Sequence, residues 1–253
     1  MLQPELLQSV VISPPQLALA CFVAFSASIL GGLAGYGTGL ILPVFMVPVV
    51  GVGNVIPVMA VAMLFNNASR VAVFRREIQW DHVRRILIPG LPACIAGAWC
   101  YTLLNTRMIA LFLGLFLLAS IPLRRLLHRA RWQLSAVSES AAGASFGFIN
   151  GGLPGAGVFL IAILLHAGLI GSAVVATDAI ISVCMGLAKI ILFGSLAALN
   201  AELALTGIFI GLCTVPGAFV ARALLKYLSA GIHIGIMEII VAAGALTLLW
   251  RVF

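Results

Sequence analysis

Asp178 and Lys189 are ionisable side chains set inside one apolar stretch, 172–194, where a charge is costly unless it is paired, hydrated or put to use. Their separation of eleven residues (189 − 178) returns a helix almost to the same face, with Ser182 and Met185 between them, so both charges look into one groove. The same spacing is about 16 Å along a helix axis, too far for the two to pair directly. Each therefore needs another partner, a water or a ligand. An apolar setting penalises the charged form of a carboxyl, which lets Asp178 load and release a proton or hold sodium as a coupling site; capping a helix break is its plainer role. Lys189 can attract an anion, or its stem can snorkel to the interface. Beside Asp178, Thr177 offers a hydroxyl to an anion or to its own helix backbone. Arg70, one turn beyond Asn66 and Asn67, ends another apolar stretch as a second cation, or simply obeys the positive-inside rule. Asn66, Asn67 and Asn150 are amides with donors for an oxyanion or for a neighbouring helix.

These side chains need elements to hold them, and two glycine-rich breaks in the hydrophobic pattern supply a frame. The first contains Gly35, Tyr36, Gly37, Thr38 and Gly39; the second contains Asn150, Gly151, Gly152, Gly155 and Gly157. Irregular backbone at bilayer depth survives only inside protein or along a wet cavity. Half-helices beginning near Thr38 and Gly155 would aim their positive dipole ends inward, which suits a small anion. Close helix packing through small residues is the competing explanation.

Composition sets the class. Of 253 residues, 63% are apolar and only 8% are charged, with a mean hydropathy of +1.21, so the chain is read as one transmembrane domain over 1–253. Hydrophobic runs fall at about 16–34, 38–50, 54–74, 86–104, 108–123, 138–150, 155–170, 172–194, 203–221 and 232–250. The runs after the two breaks are shorter than the ~20 residues of a perpendicular span. Loops 75–85, 124–137 and 222–231 hold ten of the fourteen Lys and Arg residues, which marks them as cytoplasmic. The net charge of +7 therefore reports topology and lipid contact; no nucleic acid partner is expected. Five scattered cysteines read as small buried hydrophobes. His82, His128 and His233 lie in or beside loops, and His166 follows the second break as a weak candidate for proton relay. No pair has metal-ligand spacing, so neither metal nor cofactor is expected. The few acids and histidines do not group into catalytic machinery, and the chain is not read as an enzyme.

A duplication underlies the pattern. Gly37 aligns with Gly155, Gly39 with Gly157, Gly53 with Gly171, Phe74 with Phe193, and Gly97-Ala98 with Gly217-Ala218, at offsets of 118 to 120 residues. The Arg-rich loop 75–85 then corresponds to the uncharged 195–202, so the charge bias flips between the halves. The expected fold is an all-α integral membrane protein of two inverted repeats, about 16–128 and 136–253, each of about five helical segments (8–10 in total) with glycine-broken short helices at the core. Both termini are expected outside.

The order of glycine break, short helix, small-residue helix, then Arg75-Arg76-Glu77-Ile78-Gln79-Trp80-Asp81 leading into Ile86–Gly97 resembles one repeat of the TauE/SafE family of sulfite-exporter-like anion transporters, and the second copy, Gly147–Gly194 and on to Gly217, resembles the family's second repeat, over roughly 25 to 250 in all. Tyr36, Thr38 and Pro154 depart from the family's denser glycine runs. The resemblance implies a secondary carrier in a bacterial-type cytoplasmic (inner) membrane, moving sulfite, an organosulfonate or a related small anion by alternating access, with proton coupling open. A passive anion channel of the same fold is the alternative, and a homo-oligomer is left open.

Overall fold

The computed structural model describes residues 14–34, 37–129, 133–224 and 230–250, and among them every regular element is helical. Ten α-helices follow in order: α1 Pro14–Ala34, α2 Thr38–Val50, α3 Val55–Phe74, α4 Trp80–Thr102, α5 Thr106–Arg129, α6 Ala136–Gly152, α7 Gly157–His166, α8 Ser172–Ser195, α9 Ala201–Leu224 and α10 Ala230–Trp250. Short 3-10 turns at 52–54 and 75–77 flank α3. The expected runs each correspond to one helix. Polar flanks extend α4 and α5 beyond their runs, because helix formation does not require hydrophobicity, whereas α7 covers only Gly157–His166 of the run 155–170, where the chain turns at Gly168 with φ +95°.

Length separates two kinds of element. Segments 52–77, 80–102, 106–123 and 172–195 are long and apolar enough to cross a membrane. By contrast α2 has 13 residues and α7 has 10, or about 20 and 15 Å at 1.5 Å per residue, well short of a ~30 Å hydrocarbon core.

The helices pack in pairs that exchange between the halves. α1 lies against α9 as α6 lies against α4, and α3 lies against α9 as α8 lies against α4. α3 and α8 are antiparallel, with Arg70 opposite Asp178 and Ala60 opposite Gly186. α5 and α10 are antiparallel too: Gly114 meets Leu249, and Arg125 pairs with Glu238 at 2.6 Å. Equivalent helices that run in opposite directions are what an inverted duplication requires. The Arg125 contact thus gives Glu238, on the apolar helix α10, a basic partner.

Glycine decides the closest of these contacts. On α6, Gly143, Gly147 and Gly151 recur every four residues and press against Ile86, Gly90 and Cys94 of α4, so near that an added Cβ would overlap backbone. At the N-terminal end of the same seam, Glu139 is buried and receives His82 Nδ1 at 2.6 Å and Arg85 at 3.4 Å.

Candidate functional site

The two glycine breaks, 116 residues apart in sequence (155 − 39), meet in space: a Cβ on Gly39 would lie 3.2 Å from Gly155 Cα. Gly155 has φ +85°, a left-handed conformation open to glycine, and a Cβ there would also strike Leu40 at 2.5 Å. α2 starts at Thr38 and α7 at Gly157, and neither N-terminus has a side-chain cap. Thus both helix starts meet at the centre of the fold, beside a cavity of about 70 Å³ that is walled by α3, α8 and the breaks. By water-sized measure that volume holds several waters or one small anion.

Antiparallel α3 and α8 give the cavity two ends. At one, Arg70 Nη1 donates to Asp178 Oδ2 at 3.0 Å and to Asn67 Oδ1 at 3.4 Å. Asp178 Oδ1 is buried with no hydrogen-bond partner among the described residues. At the other end Lys189, 9% exposed, donates Nζ to the Asn150 carbonyl at 3.0 Å. The Lys189 stem does not snorkel outward, because the backbone carbonyl freed at the end of α6 receives its ammonium instead. Two cations and one carboxylate line the space, which leaves one net positive formal charge.

The walls also repeat. Met59 and Asp178, Met63 and Ser182, Asn67 and Gly186, and Arg70 and Lys189 are each 119 residues apart (178 − 59, and likewise), and all eight line the cavity. Gly39 and Gly157 add a fifth pair at 118 (157 − 39). The cavity lies between equivalent halves, yet its two ends are chemically unlike. Where α8 carries Asp178 and Ser182, α3 carries Met59 and Met63.

Of the residues singled out by sequence, Gly39, Asn67, Arg70, Asn150, Gly155, Gly157, Asp178 and Lys189 line the cavity. Others face elsewhere. Asn66 is turned about 100° from Asn67 and accepts Ser28 Oγ at 3.3 Å between α1 and α9. Thr177 is buried and its Oγ1 accepts the Gln79 N–H at 3.1 Å. Gly151 and Gly152 lie inside α6, packed on α4 next to Gly97, so the second break runs from Leu153 to Ala156 and not from Asn150. Thr38 donates to the Ala27 carbonyl at 3.3 Å, Gly37 is its buried helix cap, and Gly35 and Tyr36 lie outside the described residues. His166 Nδ1 is 2.7 Å from the Ala162 carbonyl, away from the cavity lining. Met59, Met63 and Gly186 were missed, although an offset of 119 from Asp178, Ser182 and Asn67 points to each. No group of three or more metal-binding side chains occurs among the described residues.

A family model described as "Sulfite exporter TauE/SafE" matches residues 20–248, nearly all of the chain. The chain belongs to the sulfite exporter TauE/SafE family. Membership makes it a membrane transporter of the anion-exporting kind, built on the all-helical frame described above. No curated protein and no solved structure gives a significant match to it.

Proposed function

We propose that this TauE/SafE protein is a secondary carrier that moves one small anion, sulfite, an organosulfonate or a related sulfur anion, by alternating access around the cavity between α3 and α8. The observation that carries the reading is the cavity itself, which sits between inverted halves and is lined by equivalent residues of each. Such a site can be reached from either side by a rocking of one half against the other. Its net positive charge and the two uncapped helix starts beside it favour an anion over a cation or neutral solute. Asp178 is the residue we assign to proton coupling. The protein acts in a bacterial-type inner membrane with the Arg-rich loops inside and both termini outside, and its partners are the anion and the bilayer.

Labelled sulfite uptake into proteoliposomes, with and without a pH gradient, tests this. We expect saturable, gradient-driven uptake that Asp178→Asn uncouples from the gradient. Unsaturable flux indifferent to the gradient would instead mark a passive channel, and no sulfite or sulfonate flux would overturn the substrate.

A further inference from the structure

Resting on that carrier reading, we propose that Asp178 is a built-in counter-anion: it holds Arg70 while the cavity is empty and yields it to the arriving anion by taking a proton, so that one monovalent anion and one proton form the load. Three observations meet here. The Arg70–Asp178 pair at 3.0 Å lies in the wall of the cavity, with side chains 12% and 4% exposed. A second anion beside that guanidinium would share it with a buried carboxylate, and two like charges in one site disfavour each other strongly. Protonation removes the conflict and turns the carboxyl into a hydrogen-bond donor, which gives the unpartnered Oδ1 something to offer an oxyanion.

Charge accounting agrees. Empty, the cavity holds two cations and one carboxylate; loaded with a monovalent anion and a proton, it holds two cations and one bound anion. Its net charge is the same in both states, so the loaded and empty halves can rearrange across the same field. A dianion, or an anion without its proton, breaks that equality.

The surroundings leave Asp178 to Arg70. Among the elements packed on α8, the 75–77 turn gives Glu77 to Ser172, α4 places His82 and Arg85 on Glu139 of α6, and α7 keeps His166 on Ala162. Lys189, on α8 itself, is taken by the Asn150 carbonyl at the far end. Asp178's repeat equivalent is Met59, so the exchange is confined to one end. Because α3 and α8 come from different halves, the same exchange loosens a charged tie between them.

Isothermal titration of a sulfonate, which does not itself titrate near neutral pH, into the purified full-length protein reads the proton from the dependence of binding heat on buffer ionisation. We expect uptake of about one proton per anion, with affinity falling about tenfold per pH unit on the alkaline side. Asp178→Asn should bind the same anion with no uptake and a flat pH profile. Binding by the wild type without proton uptake overturns the proposal and leaves the carrier reading intact, whatever the stability of the variant. Uptake that persists in Asp178→Asn also overturns it. If no sulfonate or sulfite binds at all, the carrier reading fails and the proposal with it.

Discussion

Lys189 is buried in an apolar helix with its ammonium on a backbone carbonyl, a placement that demands a reason beyond stability. If it holds the anion, Lys189→Gln, which keeps a donor for Asn150 but removes the charge, should weaken sulfonate binding by roughly 10- to 100-fold while the protein stays folded, since a hydrogen bond to a charged group contributes about 1.5–3 kcal/mol. Titration calorimetry on a protein that elutes as wild type checks this, and unchanged affinity would return Lys189 to a structural role. The groove shared by Asp178 and Lys189 was legible in the sequence because it needs only the helical period. The partner of Asp178 was not, because Arg70 lies 108 residues away and periodicity within one helix says nothing of what another brings. Asn66 and Asn67 show the same limit: adjacent amides look alike in sequence, yet one helical step puts the first between helices and the second in the cavity. Glu139 went unread for the opposite reason, since an acid in the first turn of a helix is ordinarily a surface residue, whereas here His82 and Arg85 reach it across a glycine seam.

At the scale of elements, that seam between α4 and α6 is the tightest helix contact among the described residues and depends on the absence of side chains. Gly147→Ala would push a methyl group into the Gly90 carbonyl and should lower stability by about 1–3 kcal/mol or more, because neither backbone can move without shifting its helix. Gly194→Ala, near the end of α8 with open space where its Cβ would go, should be neutral or stabilising by up to about 1 kcal/mol. Thermal unfolding of both variants in detergent separates the two; equal effects would mean that backbone entropy, and not close approach, governs these glycines. The helices themselves were readable because apolar runs bounded by glycine, proline and arginine are strong signals in membrane sequence. Gly151 and Gly152 were assigned to a break because glycine lowers helix propensity, but in α6 the packing against α4 outweighs that cost and the helix continues through both.

For the whole molecule, the duplication was visible because its offset drifts by only two residues across the chain, and opposite charge bias in equivalent loops shows the inversion without coordinates. What a one-dimensional alignment cannot supply is which equivalent residues meet. Met59 stands 119 residues before Asp178 and, by the antiparallel register that sets 70 against 178, falls level with Lys189. The cavity thus has an Arg70 end, with Asn67 and Ser182, and a Lys189 end, with Met59. In the orientation proposed above, with the Arg-rich turn at 75–77 inside, the Arg70 end of α3 would face the cytoplasm. Alternating access makes a specific demand on these ends. In a protein whose native cysteines have been replaced, Ser182→Cys should react with a membrane-impermeant thiol reagent from the cytoplasmic side and Met59→Cys from the outer side, and saturating anion should raise one rate as it lowers the other. A channel would leave both cysteines open together, with any bound anion slowing both in parallel. Opposite changes require one cavity that closes at one end as it opens at the other, which the tie between Arg70 and Asp178 across the two halves is placed to control.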